Sequence, residues 1–218
     1  MTIIIGVFDS GVGGLSVANA IERAYPEIEV VYKNDAEHVP YGSRSASDIL
    51  ALIKPIMQSF IDENCAVIVV ACNTVSTLLI GDLRKSFPIP FVAIEPMVKP
   101  AAAITKSGVI AVCATPATLA SPRYGELKQL YASTVQVLEP DCSDWSSMIE
   151  HNQIDDLKIA RRVTSVLEVG ADVIVLGCTH YHWIEEQIIR LAGSRAVVLQ
   201  PEQAIIRQLN RVISKLQT

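Results

Sequence analysis

The chain is poor in charged and in aromatic side chains. Of its 218 residues only 19% are charged and 6% are aromatic, whereas half are hydrophobic. This balance excludes a disordered chain and favours a compact, well-buried interior. An excess of basic residues is also missing, because the net charge is −5. A nucleic-acid-binding protein would show a basic footprint, so we expect no nucleic-acid partner.

Long apolar runs are absent as well. No stretch is long enough to span a bilayer, and no charged-then-apolar signal segment opens the chain. We therefore expect a soluble, cytoplasmic protein with no membrane partner. The five cysteines are an odd number, and in that compartment reduced thiols are expected rather than a disulfide framework.

Short apolar runs alternate with amphipathic segments along the whole chain, which is the pattern of βαβ units and parallel sheets. Strands that are almost wholly apolar fit sheets covered by helices on both faces. Helical spacing is clear in residues 46–63, 157–169 and 202–216. The strands are predicted at Ile3–Phe8, Glu29–Lys33, Ala66–Ala71, Pro90–Ala93, Gly108–Cys113, Thr134–Leu138, Asp172–Gly177 and Ala196–Leu199.

One phrase occurs twice in the chain. The segment VIVVACNTVS (67–76) returns as VIVLGCTHYH (173–182), and each copy places a cysteine, Cys72 or Cys178, directly after a β-branched run. The two halves are thus similar, and prolines interrupt the pattern between them at IEPMVKP (94–100).

We predict an α/β fold of two similar doubly wound parallel-sheet domains that face each other across a cleft. The first domain is predicted to comprise residues 1–95 plus 200–218, and the second residues 96–199.

Polar residues follow the predicted strands at their carboxyl ends, where parallel α/β sheets bind ligands. Clefts between domains are also preferred sites for small ligands. From the first half come Asp9, Ser10, residues 35–42 and Cys72, Asn73 and Thr74; from the second come Thr115, Thr118, residues 139–141, and Cys178, Thr179 and His180.

Two cysteines delivered from opposite walls of a cleft suit the inversion of a stereocentre. At a helix N-terminus the exposed N–H groups favour a thiolate, which can remove a proton while a thiol on the other wall donates one. Asp9 and His180 are placed to assist Cys72 and Cys178 respectively. Donors that could anchor a small acidic substrate are Ser10, Asn73, Thr74, Thr118, Thr179 and the amides of Tyr41 and Gly42.

Several motifs occur in an order that resembles bacterial glutamate racemases of the aspartate/glutamate racemase superfamily. They are DSGVGGLSV (9–17), VPYG (39–42), ACNT (71–74), IEPMVKPA (94–101) and GCTHY (177–181). The resemblance implies an isomerase that converts L-glutamate to D-glutamate for peptidoglycan synthesis, by a two-base mechanism without metal, pyridoxal phosphate or nucleotide. A homodimer is left open.

The same resemblance implies roles for individual residues. Cys72 would take the α-proton of the D enantiomer with the help of Asp9, and Cys178 that of the L enantiomer with the help of His180. Asp35 and Glu150 would support the site. Thr115 is added as a supporting residue because it lies at the end of its strand. Ser10, Tyr41, Gly42, Asn73, Thr74, Thr118 and Thr179 match substrate contacts. The chain departs from the family at His182, where proline is common, and it stops at Thr218, earlier than usual.

Other interpretations remain open at this point. Cys72 and Cys178 could be buried space fillers, or Cys178, His180 and His182 could be zinc ligands. GVGGLS (11–16) partly matches a dinucleotide fingerprint, with Asp35 at a plausible distance.

Within the superfamily, an aspartate or broad-specificity racemase is the nearest alternative, although the histidine at 180 favours glutamate. A weakly active paralogue that serves as a binding protein is another. His38 and His151 are interpreted as solvated loop residues.

Overall fold

The computed structural model describes residues 3–216 of the chain. Its strands lie within two residues of the predicted bounds, because most are short apolar runs that both sides of a sheet can bury. They are β1 (Ile4–Asp9), β2 (Glu29–Asn34), β3 (Val67–Val70), β4 (Phe91–Ala93), β5 (Val109–Ala114), β6 (Gln136–Leu138), β7 (Val173–Gly177) and β8 (Val197–Leu199).

Helices separate the strands, and side-chain caps mark where several of them begin. The Ser45 hydroxyl accepts from the amide of Asp48, and the Asp155 carboxylate accepts from those of Leu157 and Lys158. The α-helices are α1 (Leu15–Ala24), α2 (Ala46–Asp62), α3 (Asn73–Ser86), α4 (Val98–Ile104), α5 (Pro116–Leu119), α6 (Pro122–Tyr131), α7 (Trp145–Glu150), α8 (Asp156–Glu168), α9 (Glu185–Ala192) and α10 (Glu202–Leu216). Tyr41–Ser43 and Thr179–Ile184 are 3₁₀ helices.

The chain forms two compact units, each built on one four-stranded sheet. The first unit runs to Ile94 and resumes at Pro201, and the second is Glu95–Gln200. The strand orders are β2-β1-β3-β4 and β6-β5-β7-β8, and every pairing is parallel. The two orders are the same topology, so β3 and β7, which precede the two repeated cysteines, hold equivalent places. The predicted α/β class with two similar parallel sheets is confirmed.

In the first unit, alternate residues of each strand are buried on opposite faces of the sheet. Phe8, Ile68 and Val70 pack with α2 and α3, whereas Val7 and Val69 pack on the other side with α1 and α10. Helix α10 buries Ile205, Leu209 and Ile213, so it completes the first unit although it follows the second in the chain.

The second unit has the same two-sided core. Ile174 and Leu176 pack with α7, α8 and α9, and Val173 and Val175 pack with α4 and α6. Both faces of each sheet are covered, and the candidate site residues lie at the carboxyl ends of the strands.

The chain passes from one compact unit to the other at residues 94/95 and 200/201. Residues 1, 2, 217 and 218 of the predicted first domain lie outside the described residues. No helix within residues 3–216 has the length and apolar character needed to cross a membrane.

Candidate active site

Cys72 lies where β3 gives way to α3. It has an extended backbone, it is the residue immediately before the helix, and only 4% of it is exposed. Its sulfur lies 3.4 Å from the hydroxyl oxygen of Ser10, which follows the neighbouring strand β1. The sequence therefore brings a thiol and a hydroxyl together simply by ending two adjacent strands with them.

Asp9 holds the glycine-rich loop that follows β1. Its Oδ2 atom accepts hydrogen bonds from the amide of Gly14 at 2.9 Å and from that of Gly11 at 3.2 Å. Tyr32 secures the loop from β2, because its hydroxyl donates to the Gly11 carbonyl at 2.6 Å. In a dinucleotide-binding loop, such backbone amides would donate to phosphate. Here two of them donate to the Asp9 carboxylate instead, which does not favour the dinucleotide interpretation.

Tyr41, Asp35 and His38 form a second polar group in the first unit. The Tyr41 hydroxyl donates to Oδ2 of Asp35 at 2.5 Å, and Nδ1 of His38 lies 2.7 Å from Oδ1. Burial, then the hydrogen bond to Asp35, raises the pKa of Tyr41 well above its usual value, so the phenol stays protonated and continues to donate. Tyr41 packs in the same buried cluster as Cys72.

Asn73 is buried, yet its amide makes no hydrogen bond. Its Nδ2 and Oδ1 atoms are both without a partner, and only 3% of the residue is exposed. Buried polar groups are nearly always bonded, so an unpaired amide next to Cys72 requires an explanation. A ligand that both accepts and donates would supply one. Thr74, the next residue, is buried in the first turn of α3.

In the second unit Cys178 follows β7 and precedes the 3₁₀ helix Thr179–Ile184. The helix expected to begin at this cysteine is a 3₁₀ helix. Its second residue, His180, turns back so that Nδ1 lies 3.7 Å from the Cys178 sulfur. On the opposite side of the ring, Nε2 lies 2.6 Å from Oε2 of Glu150, the last residue of α7. Thiol, imidazole and carboxylate therefore form one continuous chain.

These two contacts determine which ring nitrogen of His180 carries a proton and which one can exchange a proton with Cys178. With an ionised Glu150, Nε2 must carry a proton, so that in the neutral ring Nδ1 is an acceptor facing the Cys178 thiol. When the ring is protonated, Nδ1 donates to a thiolate and the Glu150 carboxylate offsets the imidazolium charge. The arrangement can thus support Cys178 as a base or as an acid.

Three threonines complete the polar carboxyl edge of the second sheet. Thr115 follows β5, and its hydroxyl donates to that of Thr118 at 3.0 Å while accepting from the Thr118 amide at 3.3 Å. Thr179 is buried directly after Cys178. Its carbonyl oxygen lies 2.7 Å from Nδ1 of His182.

The structure places the predicted residues in two groups, one at the carboxyl edge of each sheet. Ser146, which contacts the Cys178 sulfur at 3.5 Å, was missed. It lies four residues before Glu150, so helical spacing would have placed both on one face of α7. His38 lies in a loop with its side chain 40% exposed, and the contact of its Nδ1 atom with Asp35 orients the ring. Within residues 3–216 no three His, Cys, Asp or Glu side chains gather as a metal site would need.

Comparison with known proteins adds an independent line of evidence. Residues 6–209 match the family model described as Asp/Glu/Hydantoin racemase. A glutamate racemase of Herpetosiphon aurantiacus is 40% identical over 214 residues, which cover 96% of this chain and 84% of that protein.

Solved structures agree with this match. Escherichia coli glutamate racemase in complex with L-glutamate and the activator UDP-MurNAc-Ala has a TM-score of 0.88 at 28% identity, over 98% of this chain and 83% of the other. The Francisella tularensis enzyme in complex with D-glutamate has a TM-score of 0.82 at 25% identity, over 99% and 82%. The chain belongs to the Asp/Glu/hydantoin racemase family and is an amino-acid racemase.

Proposed function

We propose that the protein interconverts L- and D-glutamate without a cofactor, by proton transfer at the α-carbon, and that it supplies D-glutamate for peptidoglycan synthesis. The observation that supports this most directly is the equivalence of Cys72 and Cys178, which follow corresponding strands of two sheets with the same topology. The curated relative and the glutamate-bound neighbours, which are themselves glutamate racemases, point to the same substrate.

The mechanism requires the two sulfurs to act on opposite faces of one α-carbon. In the L-to-D direction Cys178 is the thiolate that removes the proton, and Cys72 is the thiol that returns one; the reverse reaction exchanges these two functions. His180, backed by Glu150, accepts or supplies the proton that Cys178 exchanges. Asp9 supports Cys72 by fixing the loop that carries Ser10.

Binding of the amino acid is assigned to the polar groups around the two cysteines. The unpaired amide of Asn73 can both donate to a carboxylate and accept from an ammonium group. The amides at the start of α3 offer a favourable place for a carboxylate. The remaining proposed contacts are Ser10, Tyr41, Gly42, Thr74, Thr118 and Thr179, with Asp35 and Thr115 as supports.

The test follows the α-proton. Incubation in D2O is expected to exchange the Cα proton of both glutamate enantiomers for deuterium while the optical rotation of either one decays to zero. Aspartate, treated in parallel, should react far more slowly. Treatment with a metal chelator or with hydroxylamine, which removes bound pyridoxal phosphate, should leave the rate unchanged. Absence of both exchange and rotation change with glutamate at high enzyme concentration would refute the proposal.

A further inference from the structure

Each of the two cysteine sulfurs contacts a serine hydroxyl, and the two serines come from unrelated parts of the fold. Ser10, in the loop after β1, lies 3.4 Å from Cys72; Ser146, on α7, lies 3.5 Å from Cys178. The repeat of the two halves does not produce this similarity, because α7 and the loop after β1 are different elements. Since different elements supply the two serines, the common feature is the contact between a cysteine sulfur and a hydroxyl. This suggests that each sulfur needs a hydroxyl partner.

We infer that Ser146 is a positioning residue for Cys178, whose hydroxyl donates a hydrogen bond to the thiolate and accepts one from the thiol. A hydroxyl can rotate between these two states, which suits a sulfur that alternates between base and acid. The inference deepens the proposed racemase function and rests on it for its consequence in turnover.

Packing holds Ser146 in place. Trp145 and Tyr181 are fully buried and meet edge to face, with ring centroids 5.1 Å apart. The Tyr181 hydroxyl donates to the carbonyl of Cys142 at 3.0 Å, which ties the 3₁₀ helix to the segment that leads into α7. These contacts fix the rotation of α7 about its axis, so that the face bearing Ser146 is directed at the sulfur.

The same face of α7 also bears Glu150. One helix thereby supports both members of the acid/base pair, since Ser146 contacts the sulfur and Glu150 contacts the imidazole of His180. The titratable groups near Cys178 are His180, with Glu150 beyond it, the buried phenol of Tyr181, and the thiols of Cys113 and Cys142, which pack in the same core cluster. Burial, then the charge of Cys178, raises the pKa of Tyr181 well above its usual value, although a hydrogen bond with the Ser146 side chain acts in the opposite direction. The Ser146 hydroxyl thus has two neighbours, the Cys178 sulfur and the Tyr181 phenol, and the phenol stays neutral.

The first test measures the thiol directly. The protein is treated with iodoacetamide across a range of pH, and mass spectrometry quantifies alkylation of Cys178 and Cys72 separately. Loss of one hydrogen bond to a charged group should raise the pH midpoint for Cys178 by about one unit in Ser146→Ala. The Cys72 midpoint in the same molecules should not move, which controls for the fold.

Two variants sharpen the comparison. Ser147→Ala changes the next residue on α7, whose hydroxyl faces His151 instead, and should leave both midpoints unchanged. Ser146→Thr restores a hydroxyl and should return the Cys178 midpoint toward that of the native protein. An unchanged Cys178 midpoint in Ser146→Ala, or equal movement of both cysteines, would overturn the inference.

The second test concerns turnover. The two enantiomers have equal free energies, so a variant must change kcat/KM equally in both directions, and the expected loss is roughly tenfold. Isotope effects reveal the side. With α-deuterated L-glutamate, Cys178 removes the deuteron, so slowing this step in Ser146→Ala should enlarge the isotope effect on kcat/KM. With α-deuterated D-glutamate, Cys178 only returns a proton to the intermediate. The slower return lets the intermediate revert more often to substrate, so the isotope effect should become smaller. Equal isotope effects in the native protein and Ser146→Ala would contradict the inference.

The two proposals can fail separately. If the native protein exchanges no α-proton of glutamate but the Cys178 midpoint still depends on Ser146, the proposed function fails and the positioning contact stands. If racemisation occurs and the midpoint is independent of Ser146, only this inference fails.

Discussion

Glu150 lies 2.6 Å from Nε2 of His180, on the side of the ring opposite Cys178. Both residues are largely enclosed, so water screens the pair weakly. The contact orients the imidazole and selects the tautomer whose Nδ1 faces the sulfur. Glu150 is thus at the far end of a chain of three groups, and we expect it to act on the thiol through the ring.

Replacing Glu150 by glutamine should slow racemisation. Glutamine can still accept from Nε2, but it cannot offset an imidazolium charge, so kcat should fall by about 10- to 100-fold, the value of one hydrogen bond to a charged group. A circular-dichroism assay of glutamate measures the rate. Glu186→Gln is the matched control, because Glu186 is exposed and its ion pair within residues 3–216 is a surface contact with Arg190. A Glu150→Gln variant as fast as the control would remove Glu150 from the mechanism.

The two cysteines should be indispensable individually. Cys72→Ala or Cys178→Ala leaves one face of the α-carbon without an acid/base group, so inversion should drop by at least about 10³-fold. Cys65→Ala provides the comparison, since Cys65 is a buried thiol in the core of the first unit and burial raises its pKa to about 11. That variant should lose some stability and keep its rate. Near-native inversion in either single variant of the pair would exclude the two-base mechanism.

The strand positions and the repeated topology could be predicted because they depend on local pattern. Wholly apolar runs such as VIVV and VIVLG have few alternatives to a covered parallel strand, and the cysteine after each run is then placed by the strand end.

Ser146 could not be found in the same way. Its spacing from Glu150 places Ser146 and Glu150 on one face of α7, but the spacing does not say that this face is directed at Cys178, which depends on the packing of Trp145 against Tyr181. The bonds of Asp9 to Gly11 and Gly14 likewise depend on how the loop folds back, which no periodicity reports. The roles of these residues in catalysis stay predictions.

The ionised carboxylate of Asp172 should stabilise the second unit at neutral pH, and this stabilisation should be lost at low pH. Burial alone would raise its pKa, but hydrogen bonds from the Thr105 hydroxyl and the amides of Lys106 and Ser107 outweigh it and lower the pKa to about 2, from 3.8. The donors lie 2.5, 2.6 and 2.8 Å away. Because the folded value is depressed, this stabilisation is complete above about pH 4 and is lost as the pH falls toward 2.

Asp172→Asn tests this dependence. The neutral amide should lower the free energy of unfolding by about 1–2 kcal/mol at pH 7, measured by urea denaturation. The difference from the native protein should shrink steadily below pH 4. Asp62→Asn, at an exposed carboxylate on α2 that accepts only from the Gln58 side chain among the described contacts, should cost little at any pH. A difference for Asp172→Asn that stays constant down to pH 2.5 would show that its carboxylate charge is not the cause.

Gly14 and Gly81 should respond in opposite ways to the same added methyl group. A Cβ at Gly14 would lie 2.4 Å from the Cβ of Asp9 and 3.2 Å from the ring of Tyr32, so the loop that carries Ser10 would have to move. Gly14→Ala should therefore cost about 1–3 kcal/mol of stability through overpacking, and it should lower the rate of racemisation because Asp9 shifts.

A Cβ at Gly81, inside α3, meets nothing within 4 Å. Gly81→Ala should stabilise the protein by about 0.5–1 kcal/mol through helix propensity and leave the rate unchanged. Urea denaturation and the glutamate assay, applied to both variants, separate a local clash from a general effect of alanine. If Gly14→Ala folds and turns over like the native protein, Asp9 does not need its present position, and its assignment as the support of Cys72 falls.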